Sequence, residues 1–292
     1  MLAEQIINGI VLGSMYALVA IGYTLVFGVL DKLNFAHGET FMLGGFVAVA
    51  ASALGAPLWV AFPCALLICG ALGLVVELLS FRKFRSADAQ VTAALSSLAL
   101  GLIFIDLVQK YYGSEPVPLE LPLAVRTATL SVAGIEIAQI KLAILAIAVL
   151  LMAGLHVLVN HTRVGRNIRA VAESPLAASL LGIHVRLVTQ QTFVIASALA
   201  GIAGVMLAMR TGYAASDIGF TFGIKALAIM AIGGMGDLRG AMLGGILVGV
   251  VEALAVQFGF GKLGEIVVWI LMILVLLVRP GGLFSTSSER RA

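Results

Sequence analysis

Nine apolar runs, at about 5–30, 40–56, 58–80, 91–111, 140–160, 188–209, 219–234, 240–258 and 264–278, follow one another along the chain. A helix needs about 20 apolar residues to cross the hydrocarbon core of a bilayer, within a range of roughly 17 to 25. Most of the runs meet that length. The second and seventh are short and broken by glycine, so either could be a broken or re-entrant segment. The expected fold is an all-α polytopic membrane protein with eight to ten transmembrane helices, some short and broken. Composition agrees, since 61% of residues are hydrophobic and 11% charged, where a soluble domain carries roughly 25% charged residues. Residues 1–292 then form one transmembrane domain.

Cytoplasmic loops are enriched in Lys and Arg, which sets the orientation. One side receives Lys32, Arg82, Lys83, Arg85, Arg163, Arg166, Arg169, Arg186, Arg239, Arg279, Arg290 and Arg291; the other receives Lys110, Arg126, Lys141, Arg210 and Lys262. The first side is therefore expected to be cytoplasmic, with the N-terminus outside and the C-terminus inside. Met1-Leu2-Ala3-Glu4 lacks a basic leader, and the apolar run continues past any cleavage point, so a retained spanning helix is expected.

Two connections are long. The outer one, about 112–139, holds three prolines and then Ala128-Thr129-Leu130-Ser131-Val132, whose alternation predicts an extended flap or hairpin. The inner one, about 161–186, predicts a short helix after Ser174. Ser174 suits the N-cap, Pro175 the first turn and Gly182 the C-cap. Leu176, Leu180 and Ile183 would share one face.

Several function classes have no support. The string Gly259-Phe260-Gly261-Lys262-Leu263 lacks the spacing and hydroxyl of a phosphate-binding loop. His37, His156, His161 and His184 are scattered, and no metal spacing or nucleophile–base pair emerges. Cys64 and Cys69, five apart in an apolar run, fit packed or lipid-facing thiols. The net charge of +3 comes without a basic, aromatic-interleaved stripe for nucleic acid. No enzymatic activity and no bound cofactor are expected, and any energy for transport must come from an ion gradient or a partner.

The polar residues inside spans are the candidates for function. Lys225, Glu252 and Asp106 would lie in the outer half of the membrane, where each charge costs roughly 2.5 to 3.5 kcal/mol on insertion scales. A Lys225–carboxylate pair would relieve that cost, whether as structural neutralisation or as part of a transport path. Gly233-Gly234-Met235-Gly236-Asp237 reads as a tight cytoplasmic turn or as an unwound segment beside the path. Gly240, Gly244, Gly245 and Gly249 have the spacing of close helix packing. The stretch Asn34-Phe35-Ala36-His37-Gly38-Glu39-Thr40, followed by Gly44 and Gly45, reads as an inner turn or as a pathway-lining hinge. On the expected topology Asn34 and His37 sit near the cytoplasmic mouth.

Gly13-Ser14-Met15-Tyr16-Ala17-Leu18 through Leu25, and Leu33-Asn34-Phe35-Ala36-His37-Gly38-Glu39, closely resemble the Liv-type (LivH-like) branched-chain amino-acid permeases. So do Ala198-Leu199-Ala200-Gly201, Gly233-Gly234-Met235-Gly236 and the ending Arg279-Pro280-Gly281-Gly282-Leu283-Phe284. The match runs in order along nearly the whole chain. The resemblance implies a bacterial inner-membrane subunit of an ATP-binding-cassette importer. Its partners would be a second Liv-type permease, two cytoplasmic ATPase subunits that use ATP, and a periplasmic substrate-binding protein. It also implies alternating access, with a cavity between the second, seventh and eighth spans; Asn34, His37, Glu39, Gly44, Gly45, Lys225, Gly234, Gly244 and Glu252 are the pathway candidates. The inner loop would couple to an ATPase through Arg169, Glu173, Ala177, Ala178 and Gly182. Related permeases move urea, short amides or other amino acids, and a gradient-driven transporter is the alternative class.

Overall fold

The computed structural model describes residues 2–84, 89–120, 128–132, 135–260 and 264–284. Arg85, Arg126, Lys262, Arg290 and Arg291, counted above for orientation, lie outside the described residues, as does part of the 112–139 connection. The helices are α1 (Leu2–Leu30), α2 (Ala36–Ala53), α3 (Ala61–Val76), α4 (Gln90–Tyr112) and α5 (Gln139–His161). They continue as α6 (Arg163–Glu173), α7 (Pro175–Leu180), α8 (Val185–Thr211), α9 (Ile218–Gly233), α10 (Leu238–Ala255) and α11 (Gly264–Val278). A wide turn at Glu77–Phe81 extends α3, and another at Val256–Phe260 extends α10.

Among the described residues, six helical stretches, counting those extensions, are long and apolar enough to cross a membrane. The protein is a multi-pass membrane protein. Three further helices occupy positions where spans were expected but are shorter: α2 has 18 residues, α9 has 16 and α11 has 15. At about 1.5 Å per residue, none of these reaches the roughly 30 Å of a hydrocarbon core.

A helix that is apolar all round can be surrounded by protein or by lipid. α1 and α8 are surrounded by protein, at the centre of the bundle. Their apolar windows are each 89% buried, against 28% for α5 and 33% for α4. Small residues let backbones meet there. α1 packs antiparallel to α10, and a Cβ on Gly13 would lie 2.7 Å from the carbonyl oxygen of Gly245. α2 crosses α8 so closely that a Cβ on Gly44 would overlap the carbonyl of Gly201. Such contacts replace a hydrophobic driving force that lipid cannot supply.

α2 starts deep inside the bundle. The amide of Phe35 donates to Ser97 Oγ at 3.0 Å, and Ala36 packs against Gly101. Gly101 lies 11 residues into α4, so α2 begins about 16 Å from that end of the bundle. His37 is wholly buried, with its ring edge-on to Tyr23 at 4.6 Å, and Asn34 is 1% exposed. The placement of Asn34 and His37 near a mouth is therefore corrected. The chain leaves α1, turns at Asp31 with φ of 53°, and re-enters before α2 begins.

The connections carry most of the remaining structure. Strands β2 (Thr129–Val132) and β3 (Ile135–Ala138) form the expected hairpin. β1 (Val117–Pro118) pairs with β4 (Tyr213–Ala214), which the sequence did not disclose. In the other long loop, Ser174 Oγ accepts the amide of Ala177 at 3.2 Å, Pro175 opens α7, and Gly182 follows with φ of 82°. The expected shared face divides, however. Leu176 and Leu180 point outward, while Ile183 packs inward on the cluster containing Ile168 and Val188.

Candidate functional site

Two polar centres among the described residues hold the candidates for function. In the first, Lys225 on α9 faces Glu252 on α10, Nζ to Oε1 at 3.0 Å, with side chains only 7% and 15% exposed. Tyr16 on α1 donates its hydroxyl to Glu252 Oε2 at 2.9 Å and accepts from Lys225 Nζ at 3.3 Å. Arg210, at the end of α8, is near enough to interact electrostatically with both Tyr16 and Glu252. Three helices are thereby joined by hydrogen bonds and an ion pair, and α8 joins them through the charge of Arg210. Side chains lean toward the start of their own helix, which brings Lys225 and Glu252 together from antiparallel neighbours. Asp106, the other charge expected within a span, instead pairs with Lys110 one turn away at 3.1 Å on an exposed face.

The second centre is a cavity of about 260 Å³ between α1, α2, α4 and α9. Its walls are mostly apolar, from Phe35, Leu98, Leu102, Ile105, Ile224 and Leu227. Tyr23 and Glu39 supply the polar side chains. Glu39 stands in the first turn of α2, where the positive end of the helix dipole favours a carboxylate. Glycine on both neighbouring helices makes room for it. A Cβ on Gly101 would sit 3.0 Å from its Cγ, and one on Gly219 would overlap its Oε2. Glu39 is 4% exposed, and Oε2 has no hydrogen-bond partner. A buried carboxylate oxygen without a donor is costly, so the carboxyl of Glu39 gains from any donor that reaches it.

The remaining candidates fall elsewhere. Asn34 is buried with neither amide atom hydrogen-bonded, and it does not line the cavity. The ring nitrogens of His37 likewise have no hydrogen bond of good geometry, although the carbonyl of Val19 interacts with the ring. Gly44 belongs to the α2–α8 crossing, and Gly45 faces Ala208 and Ala214. Gly244 packs on Ile229 between α9 and α10. Gly234 ends α9 with φ of 110°, and the C-terminal segment folds over it. Leu283 and Phe284 donate their amides to the carbonyls of Ile232 and Gly233, at 2.8 and 3.1 Å. In the 161–186 loop, Arg169 donates to the carbonyl of Val159 at the end of α5, which gives it a capping role. Ala178 is buried, whereas Glu173, Ala177 and Gly182 are exposed.

The cavity thus uses the second and seventh expected spans (α2 and α9), with α4 in place of the eighth. Sequence reasoning missed Tyr16, Tyr23, Gly101 and Gly219 as site residues. Tyr16 and Tyr23 were visible as phenols one heptad apart in an apolar helix. Gly219 and Gly223 were visible as small residues four apart at the start of a short one.

Comparison with known proteins places this architecture. The family model described as "Branched-chain amino acid transport system / permease component" matches residues 5–276. The chain belongs to that family. The permease is 36% identical over 291 residues to "High-affinity branched-chain amino acid transport system permease protein BraD" of Pseudomonas aeruginosa, covering 96% of this chain and 94% of that one. It is 35% identical, with the same coverage, to the corresponding protein LivH of Escherichia coli strain K12. Among solved structures, "PsaBC from Streptococcus pneumoniae in complex with Fab" aligns with a TM-score of 0.48 and 15% identity, covering 96% of this permease and 97% of that chain.

Proposed function

We propose that this permease is the membrane subunit of an ATP-driven importer for branched-chain or closely related amino acids. Its membership of the branched-chain amino acid permease family, along nearly the whole chain, carries the reading. On this reading it sits in a bacterial inner membrane beside a second Liv-type permease. Two cytoplasmic ATPases and a periplasmic binding protein complete the complex, and the chain itself has no ATPase site and binds no cofactor.

The end of the bundle that carries α6 and α7 is cytoplasmic on this reading. Lys32, Arg82, Lys83, Arg163, Arg166, Arg169, Arg186, Arg239 and Arg279 gather there among the described residues, against Lys110, Lys141 and Arg210 at the other end. The N-terminus is then periplasmic, the C-terminus cytoplasmic, and the chain crosses nine times if the short helices count. α7 is the coupling element. Leu176, Leu180 and Leu181 are 73%, 80% or more exposed, and an apolar helical face of this kind fits a groove on an ATPase. Substrate reaches the bundle from the binding protein, and ATP-driven motion passed through α7 reverses the access of the central cavity.

The test is uptake of labelled leucine into vesicles holding the permease with its co-encoded partners. Uptake that needs both ATP and the binding protein is expected. Uptake by the permease alone, driven by an ion gradient, would overturn the ATP-driven reading; selective uptake of urea or short amides would overturn the substrate assignment.

A further inference from the structure

We propose that the cavity between α1, α2, α4 and α9 is a binding site for one small amphiphilic amine, an aliphatic amino acid, with Glu39 as the acceptor for its ammonium group. Three observations lead there. Glu39 is the carboxylate among the residues lining the cavity, and its Oε2 is buried against Gly219 with no hydrogen bond. A cation with N–H donors is the group that completes such an oxygen. The lining around it, including Leu98, Ile105 and Leu227, is apolar, which suits a branched aliphatic chain better than a sugar. The volume, about 260 Å³, lies below the roughly 300 to 1,000 Å³ of sites for larger ligands.

The third group of an amino acid also has a place. α9 begins at Ile218, and Gly219 and Phe220 of its first turn line the cavity. First-turn amides have no partner within their own helix and carry the positive end of its dipole. Short helices whose N-terminal ends meet deep in a bundle are how transporters hold anionic groups. The substrate carboxylate lies at the start of α9, its ammonium on Glu39 at the start of α2, and its side chain against α4. Gly219 and Gly101 are small because a side chain at either would press on the Glu39 carboxyl.

The inference deepens the transport reading and rests on it for the choice of leucine as the probe. Leu102, on the rim of the cavity and 58% exposed, carries the reporter. The full permease with Leu102→Cys in a Cys64→Ala background is placed in lipid nanodiscs and alkylated with N-ethylmaleimide. Millimolar leucine is expected to slow alkylation at least threefold, isoamylamine less, and 4-methylpentanoate, which lacks the ammonium, not at all. Glu39→Gln is expected to remove the protection by leucine. Leu98→Trp, which fills the apolar wall, tests the same site should Glu39→Gln not fold. Unchanged alkylation with leucine, protection that survives Glu39→Gln, or equal protection by 4-methylpentanoate overturns the proposal. Leucine uptake by the whole complex without such protection leaves the transport reading standing and this site refuted. Protection without ATP-driven uptake does the reverse.

Discussion

Lys225 and Glu252, 27 positions apart on antiparallel neighbours, are ion-paired at 3.0 Å inside an apolar bundle, and Tyr16 hydrogen-bonds to both. Removing one member leaves the other charged and buried, which typically costs about 3 to 5 kcal/mol, whereas replacing both by apolar residues is often neutral. Glu252→Leu alone is therefore expected to lower the thermal midpoint in detergent strongly, and Lys225→Met with Glu252→Leu to recover most of it. A double variant as unstable as the sum of the singles would show that the two residues do not act as a pair.

The crossing of α2 and α8 tests the packing argument. A Cβ at Gly44 overlaps the Gly201 carbonyl, and one at Gly204 overlaps that of Phe41. Gly44→Val forces the helices apart, and overpacking of this kind costs roughly 1 to 3 kcal/mol. Gly154, with nothing within 4 Å of its Cβ position, is the matched control. Comparable losses of folded protein at both positions, read by size-exclusion profile after heating, would rule the crossing out as the cause.

Leu176 and Leu180 should matter to a partner and not to this chain. They cover none of the core, so replacing both by Ser is expected to leave the thermal midpoint within a degree or two. The same change should reduce recovery of the ATPases on affinity purification at least fivefold. Full recovery would remove α7 from the docking surface.

The C-terminal clip makes a prediction about exchange rates. The amides of Leu283 and Phe284 are held by carbonyls at the end of α9, so both should be protected from hydrogen exchange although they follow the last helix. Gly282 has φ of 89°, and a Cβ there would lie 2.5 Å from the Gly234 nitrogen. Gly282→Val is expected to abolish that protection and leave exchange in α1 unchanged. Fast exchange at both amides in the unaltered protein would contradict the clip.

The positions of nine helices were legible because long apolar runs have few alternatives, but three of the nine are shorter than a membrane crossing. The Ser174-Pro175 start of α7 was legible because capping is local chemistry. The depth of α2 was not. It follows from Ser97 and Gly101 on a helix some 60 residues later, and no local pattern reports such contacts. Glu39 stood out as a charge beside a glycine-broken span, but the apolar walls around it came from other helices. The spacing of Gly240, Gly244, Gly245 and Gly249 announced close packing, but that Gly244 meets Ile229 and Gly234 meets Gly282 is decided by distant parts of the chain.

The buried start of α2 also bears on how the protein is made. A segment of 18 residues that carries His37 and Glu39 is a poor candidate to partition into lipid alone as it leaves the insertion machinery. The surface it finally rests on, around Gly201 and Gly204, is synthesised more than 150 residues later. The final contacts of α2 form only when α8 and α9 exist to receive it, so assembly here is expected to lag behind synthesis.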